Sequence, residues 1–443
     1  MKLYYIETYG CQMNIADSEL VAGILKNEGY VQAGCIDDAD VIFLNTCAIR
    51  EHAEKKIHSR LGVLNKLKQK NPAIVLGILG CMAQHVKDDI LENKPYVDFV
   101  LGPDTYRRIP QLLQRHKELK TSIVDTRLSR FEVYEDLFPS RREGINAWVS
   151  IMRGCDKFCT FCIVPFTRGR ERSRPLNSIC NEIEKAVDKG FVEITLLGQN
   201  VNSYNLGSAK FPDLLDAVAK IPGVQRVRFT SPHPKDVDDD MLFVMRDHNN
   251  LCKSIHLPLQ SGSDHVLKRM NRTYNQNEFL ALVTRIKEIL PGCSLTTDII
   301  VGFPGETGAE FEETLKVMKI IKFDSAFTFK YSSRQGTKAA EFNDQISETE
   351  KQVRLETLIT LQLQHTLFNN SREIGNTLKV LVEKESKKDS NKWAGRTDTN
   401  KWVIFPKGHT RIKEFVDIKI TSAHGVSLFG IPESNMESTY AVI

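Results

Sequence analysis

Cys155, Cys159 and Cys162 stand in a CxxxCxxC segment, Arg153-Gly-Cys-Asp-Lys-Phe-Cys-Thr-Phe-Cys162, directly behind the apolar run Ala147–Met152. Thiolates at this spacing are ligands for zinc or for an iron–sulfur cluster. Closed zinc sites and ordinary four-iron cubes take four protein ligands, and no further Cys or His follows at short spacing. Three thiolates on a four-iron cube would leave one iron open to a small chelating molecule. A zinc knuckle completed by a distant residue is the alternative.

A second trio is spread out. Cys11, Cys47 and Cys81 occur in Tyr9-Gly-Cys11, Asn45-Thr-Cys47 and Leu79-Gly-Cys81, with 35 and 33 residues between them. Taken singly, each reads as a small buried hydrophobe. Each also lies just past a β-rich apolar run, in phase with a βα repeat. That phase predicts convergence at the carboxyl edge of one parallel sheet, where such sheets collect their ligands. Cys35, Cys180, Cys252 and Cys293 have no ligand spacing and read as packing residues.

These groups need a scaffold, and the chain supplies one in three parts. Strand-like runs at Leu3–Glu7, Val41–Asn45, Ile74–Leu79 and Val97–Leu101 alternate with helical patterns at Asp17–Glu28, Ile49–Lys68 and Tyr106–Gln114. The alternation predicts an N-terminal α/β domain over residues 1–118, built on a parallel sheet. The charged, weakly periodic stretch 119–144 reads as a linker. From 145 to 370 the alternation resumes, with strands at Ala147–Met152, Glu193–Leu197, Arg226–Thr230, Ser254–Leu259, Leu295–Val301 and Ser325–Tyr331 and helices such as Leu176–Lys189 and Asn277–Ile289. Six units fall short of a closed eight-fold barrel, so an open (β/α)6 partial TIM barrel is expected, with its chemistry at the carboxyl ends of the strands. Gly198-Gln-Asn200, Ser231-Pro-His233, Gln260-Ser-Gly262 and Gly302-Phe-Pro-Gly-Glu306 sit at those ends and mark a ligand mouth.

After a helical stretch, Glu348–Asn369, residues 371–435 change character. Leu378–Val382, Trp402–Phe405 and Phe415–Ile420 alternate with Gly and charged turns, the pattern of a small antiparallel β-barrel. Its many lysines and arginines, Lys392 and Arg396 among them, interleave with Trp393, Trp402 and Phe405. Such a surface suits single-stranded or looped RNA, by phosphate neutralisation and base stacking. The plainer alternative makes the aromatics core and the lysines solubilising. The fold class is therefore α/β with an added β-barrel.

Composition excludes little. Hydrophobic residues make up 41% of 443 and the formal charge is +4, so only local clusters of Lys and Arg can argue for nucleic acid. No apolar run approaches the ~18–20 residues of a membrane span, and Met1-Lys-Leu-Tyr-Tyr-Ile carries no signal-peptide pattern. A cytoplasmic protein without a membrane partner is expected, its ten cysteines reduced.

Four segments carry a family resemblance: Asn45-Thr-Cys-Ala-Ile-Arg-Glu51, the run Arg153–Arg174, Leu196-Leu-Gly-Gln-Asn-Val-Asn-Ser-Tyr204 and Asp298-Ile-Ile-Val-Gly-Phe-Pro-Gly-Glu-Thr307. With Gly395-Arg-Thr397, which fits a TRAM domain, the chain resembles the radical S-adenosylmethionine (SAM) methylthiotransferases over essentially its whole length, the bacterial tRNA-modifying branch most. The resemblance implies that Cys155, Cys159 and Cys162 bind the SAM-cleaving [4Fe–4S] cluster. It implies that Cys11, Cys47 and Cys81 bind an auxiliary [4Fe–4S] cluster carrying the sulfur to be transferred. One SAM would methylate that sulfur and a second would give the 5′-deoxyadenosyl radical, an aromatic C–H bond offering polar chemistry no easy handle. The product would be a methylthio group at carbon 2 of N(6)-dimethylallyladenosine, next to the anticodon.

For SAM, the strand-end candidates are Gln199, Asn200, Ser231, Gln260 and Asp298, with Gly302 allowing close backbone approach. For the tRNA anticodon stem-loop they are Arg168, Arg170, Arg172 and Arg174 beside the cluster loop, and Lys392 and Arg396. A reducing donor such as flavodoxin or ferredoxin, a sulfur donor or cluster-repair protein, and a monomeric state complete the expectations. The rivals are a methylthiotransferase acting on threonylcarbamoyladenosine tRNA or on an aspartate of a ribosomal protein, and a non-catalytic Fe–S or zinc RNA-binding protein.

Overall fold

The computed structural model describes residues 2–47, 51–87 and 89–433. They form two compact units, one of the described residues up to 158 with 162–189 and 195–209, the other of 159–161, 190–194 and the described residues from 210 on.

The first unit is built on a six-stranded, all-parallel sheet. Its order is Val31–Gln32, Leu3–Tyr9, Val41–Thr46, Val75–Gly80, Phe99–Leu101, Ile123–Asp125. Val41–Thr46 is buried at every position, as a parallel sheet covered on both faces requires. Side-chain alternation sends Val41 and Phe43 into a core with Leu20, Leu25 and Tyr106, and Ile42 and Leu44 into a second with Ile57, Leu61 and Leu64. The helix Gln12–Asn27 supplies Leu20 and Leu25, and Glu51–Lys70 supplies Ile57, Leu61 and Leu64 at helical spacing. The expected helix start, Ile49, lies outside the described residues.

Residues 119–144 are not a linker. Ile123–Asp125 is the sixth strand. Tyr134 is buried, its hydroxyl donating to Pro103 O (2.9 Å) and accepting from Tyr106 N (3.1 Å). Glu132 and Asp136 of this stretch pair with Arg107, and Arg141 pairs with Glu19 and Glu182. Beyond this stretch, Asn146–Ser150 is tied to the strand ending at Leu197 by Thr195 Oγ1 to Asn146 Oδ1 (3.0 Å) and Ile151 N to Leu197 O (2.9 Å). A short antiparallel pair, Met152–Arg153 with Arg172–Ser173, closes the cysteine loop at its base.

In the second unit Ser254–His256, Ser294–Val301 and Ser325–Lys330 run parallel. The helices between and after them begin at Asn275/Glu278 and Thr307/Glu310 capping boxes and at a Ser347 cap. All six expected βα strands are present along the chain. The C-terminal part is a closed five-stranded barrel, ordered Thr377–Ser386, Asp389–Arg396, Trp402–Pro406, Ser427–Pro432, Phe415–His424, around Val380, Val403, Phe405, Ile418 and Leu428. It is not antiparallel throughout: Trp402–Pro406 and Ser427–Pro432 pair parallel. An odd number of strands cannot alternate direction all the way round a closed barrel. The expected end of this domain, 435, lies outside the described residues. Among the described residues no helix is long and apolar enough to cross a membrane.

Candidate functional site: two cysteine trios

Cys11, Cys47 and Cys81 come together as the strand phase requires. Tyr9 is registered against Thr46 and Thr46 against Gly80 on three neighbouring strands. The thiols follow two, one and one residues later, at strand spacings of ~4.8 Å. Cys47 and Cys81 are buried and Cys11 half-buried. Cys11 also stands at the N-cap position of Gln12–Asn27. A hydrogen bond with Cys47 is the largest influence on its thiol; burial opposes it, while Arg168 and the first helical N–H groups reinforce it, lowering the thiol to about 6. Burial instead pushes the Cys81 thiol up, against the pull of Arg168. Among the described residues no three His, Cys, Asp or Glu side chains are gathered around a single metal ion.

Two buried asparagines brace this edge. Asn14 Nδ2 donates to Asn45 Oδ1 (3.0 Å) and Thr46 O (3.2 Å), Asn45 Nδ2 returns a bond to Asn14 O (2.9 Å), and Cys11 Sγ donates to Asn14 Oδ1 (3.3 Å). Gly10 and Gly80 leave the room. A Cβ at Gly10 would lie 2.7 Å from Cys47 Cβ, and one at Gly80 (φ +92°) 2.5 Å from Asn45 Oδ1.

Behind the trio lies a buried charge network. Asp17, fully buried, accepts from Arg153 Nη2 (2.5 Å) and Arg168 Nη2 (2.9 Å), and Arg168 Nε donates to Cys81 Sγ (3.1 Å). Arg172 is buried on Asp104 (2.9 Å) and Arg174 on Glu182. The expectation that the four arginines reach phosphate is thus corrected for three of them: Arg168, Arg172 and Arg174 are turned inward onto carboxylates. Arg170 alone is exposed, paired with Asp156 at 2.7 Å.

The second trio lies on the loop after Met152–Arg153. Cys155, Cys159 and Cys162 are all half-buried. In the first unit, Gln199 Oε1 accepts from Gly154 N (2.6 Å), and Cys155 N donates to Gly169 O (3.2 Å). Gly154 has φ +79°, and a Cβ there would meet Arg170 O at 2.0 Å. In the second unit, Arg272 Nη1 donates to Cys159 Sγ (3.3 Å) while Nε is held by Tyr274 Oη (3.0 Å). One thiol in each trio therefore receives an arginine N–H.

Of the candidate SAM contacts, Gln199 and Asn200 belong to the first unit and Ser231, Gln260, Asp298 and Gly302 to the second. Ser231 (φ +58°), Gln260 (φ +68°) and Gly302 (φ +68°) are left-handed at strand ends, conformations that cost free energy in a non-glycine residue and cluster at ligand sites. Gln260 N donates to Asp298 O (2.8 Å), and its buried Oε1 has no protein partner. Gly302 does not make room for a ligand. A Cβ there would strike Lys351 Cγ at 2.3 Å, and Gly302 N donates to Glu306 Oε2 (2.6 Å), a carboxylate held by Arg354 (2.6 Å).

Sequence reading missed one feature of the same strands. Phe327 and Phe329 are 56% and 42% exposed, although strands of parallel sheets are normally covered on both faces. Phe327 meets His256 edge-on (5.9 Å), and His256 Nε2 lies 3.3 Å from Asp298. Alternate aromatics in a strand could have signalled this open face.

In the last domain Phe405 is core, whereas Trp393 and Trp402 are half-buried beneath Lys407 and Lys384, each 4.3 Å from its ring. Lys392 pairs with Asp389 (3.1 Å). Arg396 is turned onto Glu193 (3.0 Å) and Glu383 (2.6 Å), which corrects its reading as an RNA contact. Cys252 and Cys293 are buried as expected, but Cys35 is exposed and donates to Asp38 Oδ2 (3.1 Å), so it does not pack.

Residues 3–102 match the Uncharacterized protein family UPF0004, residues 149–318 the Radical SAM superfamily, and residues 371–432 the TRAM domain. Among solved structures, the chain is similar to the radical S-adenosylmethionine methyltransferase TsrM from Kitasatospora setae with cobalamin and [4Fe-4S] cluster bound. The TM-score is 0.59, with 12% identity over 77% of each chain. It is also similar to the cobalamin-dependent S-adenosylmethionine radical enzyme OxsB, with a TM-score of 0.55 and 13% identity over 79% of this chain and 56% of that one. At such identity these likenesses show the fold alone.

Fold and matches together define a radical SAM enzyme with a C-terminal TRAM domain, a class that uses SAM and a [4Fe–4S] cluster. The chain is 47% identical to the tRNA-2-methylthio-N(6)-dimethylallyladenosine synthase of Parabacteroides distasonis over 97% of this chain and 95% of that protein. It is 45% identical to the synthase of Carboxydothermus hydrogenoformans, over 97% and 99%. It belongs to that family.

Proposed function

We propose that this chain transfers a methylthio group to carbon 2 of N(6)-dimethylallyladenosine next to the anticodon of tRNA. It would use two [4Fe–4S] clusters, one held by Cys11, Cys47 and Cys81 and one by Cys155, Cys159 and Cys162. The observation that carries the reading is the meeting of Cys11, Cys47 and Cys81 at one sheet edge in a chain that also carries CxxxCxxC. When bound, the clusters supply the electron that cleaves SAM and a sulfur soft enough to be methylated.

The protein's own residues do the rest. Asn14 and Asn45 fix the first trio, and Gln199 braces the second loop at Gly154. Gln260, Ser231, Asp298 and Asn200 are proposed SAM contacts. Phe327 and Phe329 offer a stacking surface for the target base, with His256 and Asp298 beside it. Lys384, Lys392, Lys407 and Arg170 are proposed to meet tRNA phosphate. The proposed division is a sulfur-transfer domain to residue 144, a partial barrel over 145–370 and the TRAM domain from 371. A flavodoxin- or ferredoxin-type reductant and a sulfur donor complete the reading.

The test is mass spectrometry of tRNA nucleosides from a strain lacking this protein. Loss of the methylthio group with the dimethylallyl group retained is expected; an unchanged methylthio content would overturn the proposal.

A further inference from the structure

Arg168 is 3% exposed and uses its guanidinium in three ways. Nε donates to Cys81 Sγ at 3.1 Å, Nη2 donates to Asp17 Oδ2 at 2.9 Å, and Nη1 is buried without a protein partner. Arg153, equally buried, donates from Nη2 to the other oxygen of Asp17, and its Nε and Nη1 are also unpartnered; its guanidinium lies 4.6 Å over the ring of Tyr134. The neighbouring Arg172–Asp104 pair is neutral in sum.

Two guanidiniums therefore face one carboxylate in a place closed to water, leaving one positive charge and several N–H groups uncompensated. Buried cations without partners are costly, and unpaired buried donors call for an acceptor. Cys81, which accepts from Arg168, and Cys11, which also acts on Arg168, are further sources of negative charge. A [4Fe–4S]2+ core on three thiolates carries a net charge of −1, which matches the surplus, and one-electron reduction makes it −2. Hydrogen bonds to sulfur and nearby charge are the protein's means of setting a cluster's potential.

We infer that Arg168, placed by Asp17, is a positioning residue that sets the charge balance and raises the reduction potential of the cluster held by Cys11, Cys47 and Cys81, through its N–H bond to Cys81. The inference rests on the cluster assignment proposed above.

The test uses the full chain with Cys155, Cys159 and Cys162 replaced by Ala, so that one cluster remains, and follows its reduction by dithionite with electron paramagnetic resonance. Arg168→Gln is expected to move the midpoint negative by about 59 mV or more, a tenfold change for one electron. Asp17→Asn frees the cation and is expected to move it positive. Opposite shifts support the inference; midpoints at the parent value with iron retained overturn it. If Arg168→Gln holds no iron, Arg168→Lys, which keeps the charge but loses the fork, is compared with Asp17→Asn. A negative shift in Arg168→Lys against a positive one in Asp17→Asn supports the role, and two parental midpoints overturn it. A parent that loads no iron shows up by iron analysis before any titration; it overturns the cluster assignment itself and this role with it.

Discussion

Arg396 Nη2 lies 3.0 Å from Glu193 Oε1, so a residue of the C-terminal barrel is paired with a carboxylate at the start of the strand Glu193–Leu197. Glu193 is fully buried and also accepts from Arg228 Nε at 2.9 Å. Removing Arg396 leaves Arg228 in place, and Arg396→Ala is expected to cost about 2 kcal/mol. Glu193→Gln strands several buried guanidiniums and is expected to cost more, about 3–5 kcal/mol. Calorimetry should rank the thermal midpoints wild type, Arg396→Ala, Glu193→Gln; equal midpoints would contradict the clamp.

Gly80→Ala places a Cβ 2.5 Å from Asn45 Oδ1 and 2.6 Å from Thr46 O at φ +92°. The asparagine brace and the Cys81 position must shift together. Iron analysis after anaerobic reconstitution should fall from about eight to about four irons per chain, while SAM cleavage to 5′-deoxyadenosine persists. Full iron loading would show that the sheet edge tolerates the methyl group.

Burial pushes the Glu19 carboxyl up from 4.5 to about 7, with Arg141 opposing and Glu182 reinforcing. The folded value lies above the unfolded one, so the folded chain holds the extra proton between them. The resulting stability is full below pH 4.5 and is lost as pH rises through about 7. Between pH 5 and 8 the urea midpoint of Glu19→Gln should therefore fall less than that of wild type. Parallel pH profiles would count against it.

The convergence of Cys11, Cys47 and Cys81 at one sheet edge was legible because the βα repeat fixes their phase. What sequence could not show was where charge goes. Arg168 and Arg172 find Asp17 and Asp104 at separations of 151 and 68 residues, so a count of local positive charge mistook buried pairs for a phosphate-binding edge. Residues 119–144 misled for the same reason: Arg107 draws Glu132 and Asp136 into pairs that hold the stretch down. Asp389–Arg396, with Ser, Asn, Gly and charged residues among its eight, shows no apolar alternation, and only pairing with both neighbours makes it a strand.

Phe327→Ala removes the more exposed ring of the open face formed with His256. Base stacking contributes about 1–3 kcal/mol, so KM for tRNA should rise roughly tenfold, with kcat and SAM cleavage without tRNA little changed. An unaltered KM would place the target base elsewhere.

Two separate thiol trios are proposed each to hold a four-iron cluster. Mössbauer and iron analysis of anaerobically reconstituted chain tests it most directly. About eight irons are expected in the wild type and about four both in the Cys11, Cys47, Cys81→Ala variant and in the Cys155, Cys159, Cys162→Ala variant. A wild type holding about four irons, or one in which zinc replaces them, would contradict it.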